Sequence, residues 1–421
     1  MKVYEGTIIA CDRDNHVYRY LVEDRGRIVQ VGNDLPAAYR GVPVENLGTG
    51  SLLPAFGDTH LHFASHALFH AGLDVRSARS LAQMCAQIKE YARGGPDRII
   101  MGFGASTHAV AERRLISRDE LDDACPDRAV YIVKYDGHAC ILNSRMIAML
   151  PPGVKSLRGY HEDTGEMNQE AFFAATDFVS KTVSFPRTVN NMLRAVDDLA
   201  DRGIGMMHTV SGVGFPLDLD VTLETIFGKG LCTGFQSRLF FQTMDIDKVV
   251  RRKLPRVGGC FATALDGCFG SEDAALRQPY ANNDDNRGIL FYRDEDVAAF
   301  ARKANRLGLQ IEMHAIGDAA FDQAVRAIEA ALQDFPRDDH RHGIIHACLP
   351  TAAGLEKCAA LGIQLPVQPA FLHWELEPYD FLQSILGSRV EQLLPLRKMT
   401  DMGIVMSGGS DAPCTLPDPI F

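Results

Sequence analysis

Short apolar stretches alternate with helical patterns along most of this 421-residue chain, which limits the folds open to it. The clearest example is "DEDVAAFARKANRLGLQIEMHAIGD", residues 294–318, in which Val297, Phe300 and Ala304 are spaced as on one face of a helix. Gly308 favours the end of that helix, and "LQIEMH" is typical of a buried strand. Repeated alternation of this kind predicts a parallel sheet whose strands are connected by helices.

Eight stretches have the character of buried parallel strands. Each is short and apolar, and the helical patterns fall between them. Eight parallel strands with connecting helices predict an α/β fold of the (β/α)8 barrel type. The predicted strands are "PAFGDTHLH", "GIGMMHTV", "SRLFFQT", "GCFATALDG", "LQIEMH", "GIIHAC", "GIQLPVQ" and "GIVMSGGSD".

Three regions can be distinguished around the predicted strands. Residues 1–50 consist of short strands and turns, with Arg25-Gly26 as a candidate hairpin turn, and indicate a small β-element. Residues 51–63 and 196–421 carry the eight barrel strands. The long segment 64–195 separates the first two of them and contains strand-like runs of its own. We expect it to be an inserted subdomain over the barrel mouth.

The composition argues against several classes of function. A formal net charge of −11 makes nucleic acid or an anionic membrane surface a poor main partner. No run of about eighteen apolar residues occurs, so no transmembrane helix is expected, and the start "MKVYEGTIIACDRDN" lacks the pattern of a secretory signal. The ten cysteines include no C-x-x-C pair, which predicts free thiols and a cytoplasmic location. A small molecule is therefore the expected partner, and a homo-oligomer is left open.

Histidines and one aspartate stand at the carboxyl ends of the predicted strands, where barrels carry their chemistry. His60 and His62 are two residues apart on a strand, so their side chains point the same way. One such histidine alone is more often a hydrogen-bonded core residue than a ligand. Several imidazoles with a carboxylate suit zinc or iron, so the sequence predicts a metal centre. The candidate ligands are His60, His62, His314, His346 and Asp411.

Several motifs resemble those of the amidohydrolase superfamily: "GDTHLHF", "EMHAIGDAAFDQAV", "IIHAC" and "GGSDAP". Two others, "YDGHACILNSRMI" and "LDGCFGSEDAALRQPY", are similar to the branch called amidohydrolase family 3, which includes N-substituted formamide deformylases. The resemblance covers essentially the whole chain. It implies a metal-bearing (β/α)8 barrel with a small β-sandwich built from both chain ends, of which residues 1–50 would be the N-terminal part.

The resemblance also implies roles for the candidate ligands. His60 and His62 match the first-strand ligands, His314 and His346 match those of strands five and six, and Asp411 matches a ligand that shuttles protons. The implied cofactor is one divalent metal, zinc before iron or manganese, which lowers the pKa of bound water to about 7. Asp411 would act as general base and then as general acid in hydrolysis of an amide-type C–N bond. The alternatives are deamination of an amino-heterocycle and an inactive or truncated binding protein.

Two departures from the family's pattern affect these expectations. Where many members have a lysine in a "K-x-x-x-D-G" run on strand four, this chain has Ala262 in "ATALDG". Alanine cannot ligate a metal, so a single metal is expected, with Cys260 or Asp266 as less favoured substitutes. Cys260 itself is expected to be a small buried hydrophobe. The sequence also stops ten residues after Asp411, which leads us to expect an exposed apolar groove beside strand eight and an open N-terminal sheet.

Three further residues are candidates for contact with the substrate. His138 lies in "DGHACILNS", which matches a family motif in the inserted segment, and His208 ends the second predicted strand. Trp374 follows the seventh strand, where aromatic side chains commonly line a pocket. For each of the three, a structural role in a turn, in the core or in a packed loop is the alternative.

Overall fold

The computed structural model describes residues 1–95, 97–230 and 234–420. Its strands are β1 (Lys2–Ile9), β2 (Val17–Asp24), β3 (Arg27–Gly32), β4 (Val44–Leu52), β5 (Phe56–Leu61), β6 (Leu73–Asp74), β7 (Ile99–Ala105), β8 (Ala129–Lys134), β9 (Ala139–Leu142), β10 (Tyr160–His161), β11 (Glu166–Asn168), β12 (Ile204–Ser211), β13 (Gln236–Phe241), β14 (Arg256–Ala264), β15 (Gln310–Ala315), β16 (Gly343–His346), β17 (Leu365–Val367) and β18 (Met406–Gly408). Its α-helices are α1 (Phe63–His70), α2 (Leu81–Gly94), α3 (Arg118–Ala124), α4 (Ser144–Met149), α5 (Gln169–Thr182), α6 (Phe185–Asp201), α7 (Leu219–Gly230), α8 (Ile246–Arg251), α9 (Asp294–Arg306), α10 (Asp318–Asp334), α11 (Ala352–Leu361), α12 (Tyr379–Leu386) and α13 (Leu396–Asp401).

All eight predicted barrel strands are present. β5, β12, β13, β14, β15 and β16 form one parallel sheet, with the strands side by side in this order. Gly343 in β16 bridges Gln364, just before β17, and β17 pairs in parallel with β18. At the remaining gap, the Thr59 hydroxyl donates to the carbonyl oxygen of Gly408 at 2.9 Å. We call this contact between β5 and β18 the seam. It brings the first and last strands together, as a barrel requires.

The sequence of α9 explains how one helix packs against the ring of barrel strands. Its first turn contains Asp294, Glu295 and Asp296, and carboxylates there favour the positive end of the helix dipole. The chain leaves the helix through Gly308, whose φ of 75° is a conformation that glycine adopts without strain. On the inner face, Val297 and its apolar neighbours are buried in the same core as β15. Burial of each large apolar side chain contributes about 1.5–3 kcal/mol.

Two further sheets lie outside the ring. β3, β2, β1 and β4 form a four-stranded sheet in this order. The predicted hairpin turn between β2 and β3 is confirmed, because Arg25 and Gly26 both have the positive φ that a two-residue type I′ turn requires. β10, β11, β9, β8, β7 and β6 form a mixed sheet from the segment between β5 and β12. The second layer of a sandwich and the division of the chain into three domains stay predictions.

Apolar side chains are exposed at two places that bear on the expected open surfaces. On the small sheet, Ile28 and Val44 are more than half exposed, at 66% and 51%. Beside β18, Leu416 lines a groove together with Phe56 and Ile204. The expectation of an incomplete sheet and an uncovered last strand stays a prediction.

Two expectations from composition can be compared with the described residues. Within them, no helix combines the length and apolar character needed to span a lipid bilayer. The nine cysteines in the described ranges have free thiols, as predicted. The tenth, Cys232, lies outside the described residues.

Candidate metal centre

The five predicted ligands converge at one end of the barrel. The ring centroid of His60 lies 5.4 Å from that of His62 and 5.2 Å from that of His346. The rings of His314 and His346 are 4.7 Å apart. Asp411 completes the cluster from the loop after β18, and all five side chains are buried. Residues from four strand ends therefore meet at one point, as their positions in the sequence predicted.

Asp411 faces the two first-strand histidines across the seam. Its Oδ1 lies 3.1 Å from His60 Nε2 and 3.3 Å from His62 Nε2. Neither contact has hydrogen-bond geometry, so Oδ1 is buried without a hydrogen-bond partner among the described residues. Burial raises the pKa of Asp411, but the two imidazoles lower it by more and hold it well below its usual range. A cation shared by these atoms would satisfy the unpaired oxygen, whose burial otherwise costs about 1–3 kcal/mol or more.

Hydrogen bonds on the outer side of two rings determine which nitrogen faces the cluster. His346 Nδ1 donates to Gln368 Oε1 at 2.6 Å. His314 Nε2 donates to the carbonyl oxygen of Gly267 at 3.1 Å, and its Nδ1 has no hydrogen-bond partner in the described part of the chain. Outer partners of this kind orient imidazoles that bind metal. Burial lowers the pKa of His60 and of His346, which favours the neutral form that binds metal.

Asp58 and Gly409 hold the two sides of the seam together. Asp58 Oδ1 accepts hydrogen bonds from the backbone N–H groups of His60, at 3.2 Å, and Ser410, at 3.0 Å. Its Oδ2 accepts from the Ser410 hydroxyl at 2.5 Å. A Cβ at Gly409 would lie 2.6 Å from the backbone nitrogen of His60, so only glycine allows this close approach. The "GGSD" segment thus places Asp411 beside His60.

The fourth barrel strand differs from the expectation. Ala262 was expected at the position of the family's lysine, but it lies in a bulge, where its carbonyl oxygen accepts from the Tyr292 hydroxyl at 2.7 Å. Cys260 is at the cluster instead. Its Sγ lies 3.3 Å from His60 Nε2 and 3.5 Å from His346 Nε2. The sequence offered Cys260 only as a less favoured substitute for the family's lysine, and it is the strand-four side chain whose sulfur lies at the cluster. The expectation of a single metal stays a prediction.

A bulge in β14 explains why a regular count along the strand did not single out Cys260. Gly259 pairs with Met313 of β15, but the next pair joins Ala264 to His314, so β14 has extra residues at this point. Phe261 has a φ of 49°, a left-handed conformation within the bulge. A bulge changes which side chains point inward, and side-chain alternation alone does not reveal it.

Asp266 was the other residue considered as a substitute for the family's lysine, and its contacts differ from those of Cys260. Its Oδ1 accepts from the backbone N–H of Ile316 at 3.0 Å, and its Oδ2 accepts from those of Gly317, at 2.8 Å, and Ala275, at 2.9 Å. Its Oδ1 also lies 3.4 Å from His314 Nε2. Asp266 therefore fixes the loop after β15 and the ring of His314.

The buried donors fit a divalent transition metal. Imidazole nitrogen, thiolate sulfur and carboxylate oxygen are the ligand types that zinc takes in proteins. The donor atoms form three overlapping sets, within each of which the atoms lie within 4.8 Å of one another: His60, His62 and Cys260; Cys260, His314 and His346; and His60, His346 and Asp411.

A largely apolar pocket opens onto this cluster. Two of the three predicted substrate contacts, His138 and Trp374, line it. Phe371 and Trp374 stack in its wall, with ring centroids 4.9 Å apart and an interplanar angle of 10°. His208 does not line the pocket, because it lies in β12 with its ring 5.9 Å from that of Phe240.

The pocket wall also contains two buried carboxyl groups that the sequence did not single out, those of Asp136 and Glu377, and each has a buried partner. Lys134 Nζ lies 2.7 Å from Asp136 Oδ2, and the Tyr135 hydroxyl donates to Glu377 Oε1 at 2.8 Å. Burial raises the pKa of Glu377 to about 7. The only sequence signal for Tyr135 and Asp136 was their position next to His138 in the motif "YDGHACILNSRMI", and Glu377 had none.

Three residues at the cluster have a strained backbone. Phe261, His346 and Asp411 have φ values of 49°, 70° and 56°, in the left-handed region. Such conformations cost about 1–3 kcal/mol each for residues other than glycine, and they persist only where the surrounding structure imposes them. The strand ends that carry the donors are therefore held in place by the fold.

The fold is that of a known class of hydrolases. An uncharacterized metal-dependent hydrolase from Pyrococcus furiosus superposes on the whole chain and on 87% of its own length, with a TM-score of 0.77 at 22% sequence identity. This likeness shows the fold: the ring of strands is that of a metal-dependent hydrolase.

The sequence comparison is more specific. The model of the amidohydrolase family matches residues 44–421, and the chain belongs to this family. YtcJ of Bacillus subtilis (strain 168) is 26% identical over 399 residues, covering 89% of this chain and 73% of YtcJ. The N-substituted formamide deformylase of Arthrobacter pascens is 22% identical over 453 residues, covering 98% of this chain and 81% of the deformylase. The predicted relation to the family 3 branch is confirmed.

Proposed function

We propose that this protein hydrolyses an amide-type C–N bond of a small molecule with a metal-activated water. The observation that carries the proposal is the position of Asp411. Its Oδ1, which has no hydrogen-bond partner in the described ranges, lies 3.1 Å from His60 Nε2 and 3.3 Å from His62 Nε2, inside a cluster of buried candidate metal ligands. A carboxylate at this place can accept a proton from a water held among the donors.

His60, His62, His314, His346 and Asp411 would hold the divalent ion, for which zinc is the first choice and iron or manganese the alternatives. When bound, such an ion is a Lewis acid that activates water and polarises a carbonyl group. Asp411 takes the proton from the attacking water and transfers it to the leaving nitrogen, as general base and then general acid. Gln368 and Gly267 keep the imidazoles oriented through their hydrogen bonds.

The pocket supports an uncharged substrate with an apolar substituent next to the scissile bond. The stacked rings of Phe371 and Trp374 provide a flat apolar wall. The charged side chains near it are already paired, as Lys134 is with Asp136. We propose that His138 contacts the polar end of the substrate, since its ring lies 5.5 Å from that of Phe261 on the same wall. His208 has no part in this proposal, because it does not line the pocket.

The proposal includes the arrangement of the chain. Residues 1–50 would belong to a small β-sandwich, residues 51–63 and 196–421 to the barrel, and residues 64–195 to an insert that covers its mouth. Asp136 and His138 of the insert line the same pocket as His62 and His314 of the barrel, which supports this arrangement. The insert would enclose the substrate and exclude bulk water from the donors.

The test is hydrolysis of N-substituted formamides and other amides that carry benzyl or alkyl groups, with detection of the released amine. We expect activity that is lost on treatment with a chelator and restored by Zn²⁺. Release of ammonia from an amino-heterocycle, with no turnover of amides, would favour deamination. A chain that binds no stoichiometric metal and turns over neither class would be an inactive binding protein.

A further inference from the structure

A second group of candidate metal ligands lies between α1 and α6. His66 and His70 are four residues apart on α1, so both imidazoles lie on one face of the helix. Their ring centroids are 5.4 Å apart, and Asp198 of α6 is the third member of the group. One ligand atom from each residue lies within 4.8 Å of the other two. None of these three residues lines the pocket beside Asp411.

The spacing of the two histidines is one that metal sites use. Two histidines at positions i and i+4 of a helix can bind the same zinc ion, because their rings project from one face. In this chain they enclose the segment "HALFH", residues 66–70. A carboxylate is a common further ligand of zinc, and water can take the fourth position. Two imidazoles and a carboxylate therefore suit a divalent transition metal ion.

His66 is the buried member of the group, and one of its ring nitrogens has no protein partner. It lies on α1, which shares an apolar core with α6 through Ala67 and Met192, and only 5% of the residue is exposed. Its Nε2 makes no hydrogen bond within the described part of the chain. Leaving a buried polar nitrogen unpaired costs about 1–3 kcal/mol. An ion bound at Nε2 would remove this cost.

The other two members give an ion access from the solvent. His70 is exposed, and the Asp198 side chain is 21% exposed. Arg202 donates to both Asp198 oxygens, from Nε to Oδ2 at 3.1 Å and from Nη2 to Oδ1 at 3.4 Å. A carboxylate has about four lone-pair sites, so these bonds orient it and leave sites for an ion. Two donors of one zinc ion can be at most about 4.2 Å apart, twice the bond length, which a small rotation of the His70 side chain provides.

We propose that His66, His70 and Asp198 bind a divalent transition metal ion, with Zn²⁺ as the best match, and that this ion joins α1 to α6. The inference goes beyond the proposed hydrolysis and does not depend on it. α1 begins directly after His62, and α6 leads into β12, which pairs with β5. An ion between the two helices would therefore stabilise the part of the barrel that carries His60 and His62, without contact with the substrate.

The test is Zn²⁺ binding by the full-length protein and its variants, measured by equilibrium dialysis with metal analysis. We expect the unaltered protein to bind one more Zn²⁺ per chain than His70→Ala or Asp198→Ala, whatever number the candidate metal centre holds. His16→Ala is the matched control. His16 is also exposed and also pairs with a carboxylate four residues away, that of Asp12, but it belongs to no group of three candidate ligands in the described ranges. It should bind as many ions as the unaltered protein.

A measurement on the unaltered protein needs no variant. In crystals grown with Zn²⁺, anomalous scattering at the zinc absorption edge should show an ion beside His66 Nε2, in addition to any ion at the candidate metal centre. Absence of an ion there, or equal Zn²⁺ binding by the unaltered protein and His70→Ala, would overturn the inference and leave the proposed function intact.

The remaining outcomes also decide between the alternatives. An equal loss in His16→Ala would mean that Zn²⁺ binds exposed imidazoles in general, which would overturn a built site. Loss in His70→Ala without loss in Asp198→Ala would overturn the three-ligand site. An ion beside His66 with none at the candidate metal centre would support this inference and contradict the proposed function.

Discussion

The imidazole of His346 and the side-chain amide of Gln368 are joined by a 2.6 Å hydrogen bond from Nδ1 to Oε1. Both residues are buried, and they lie at the ends of neighbouring strands, β16 and β17. The bond requires the proton on Nδ1, which leaves the Nε2 lone pair free on the side of Cys260. An uncharged residue outside the donor cluster thus sets the tautomer of one predicted ligand.

Removal of this hydrogen bond should weaken metal binding. In Gln368→Ala the ring of His346 loses its outer partner, and loss of such partners typically reduces metal affinity by about 10–100-fold. Competition with a chromophoric chelator measures the change. Gln383→Ala, on the exposed face of α12, is the control and should bind metal like the unaltered protein. Equal affinities for both variants would show that Gln368 has no orienting role.

Asp411→Asn should abolish hydrolysis while the fold is retained. Asparagine tolerates the left-handed conformation of this position, φ 56°, but cannot accept the proton of the attacking water. General acid–base catalysis contributes about 10²–10⁴-fold, so kcat should fall by at least that factor. Circular dichroism would verify the fold, and Asp401→Asn, which alters an exposed carboxylate in α13, should retain activity. Turnover by Asp411→Asn near the normal rate would contradict the proposed mechanism.

Glu377→Gln should change the pH dependence of stability. Burial raises the pKa of Glu377 from 4.5 to about 7, so between these values the unfolded chain is ionised while the folded chain keeps the proton. The contribution of Glu377 to stability is thus fully present below pH 4.5 and is lost as the pH rises through about 7. Over this interval, the free energy of unfolding of the unaltered protein should fall by about 3 kcal/mol more than that of Glu377→Gln.

Urea denaturation at pH 4.5, 6 and 7.5 would measure this effect of Glu377 on stability. Glu375→Gln is the matched control, because Glu375 is two residues away and its side chain is 76% exposed. If the free energy of unfolding changed with pH in the same way for the unaltered protein and Glu377→Gln, a raised pKa at this position would be refuted. A glutamine Oε1 can still accept from the Tyr135 hydroxyl, so the hydrogen bond is preserved in the comparison.

Trp374→Ala should impair substrates with aromatic substituents more than small aliphatic amides. The variant removes one face of the stack with Phe371, and aromatic contacts contribute about 0.5–1.5 kcal/mol beyond area burial, up to roughly tenfold in kcat/KM. We expect the loss chiefly in KM. Phe185→Ala, which changes an exposed aromatic residue of α6, should have no effect. The same loss with both substrate types would contradict a contact between Trp374 and the aromatic substituent.

The sequence predicted the barrel well because its signals are local. Each strand is a short apolar run, and helices such as α9 end at glycines, so the alternation needs no knowledge of distant contacts. The convergence of His60, His314 and His346 followed from the rule that parallel strands carry their functional residues at one end. These predictions depend on periodicity, which a single sequence contains.

The position of Cys260 at the cluster could not be predicted in the same way, because it depends on the bulge in β14. In the family's "K-x-x-x-D-G" run the lysine stands four residues before the aspartate, so counting back from Asp266 led to Ala262. That count assumes a regular strand. The pair Gly258-Gly259 directly before Cys260 was the available signal, because glycines inside a strand often mark a bulge or a close backbone approach. The partners Gln368 and Glu377 lie in loops after the strands, and no pattern in the sequence fixes where such side chains point.

The seam has a consequence for the order of events during biosynthesis. Asp58 and Ser410, whose hydrogen bond joins its two sides, are 352 residues apart in the chain. Ribosomes add about 5–20 residues per second, so His60 and His62 emerge tens of seconds or more before Asp411 does. Throughout that interval the first histidines lack the carboxylate that faces them in the finished protein. The five side chains can therefore come together only after translation has passed residue 411.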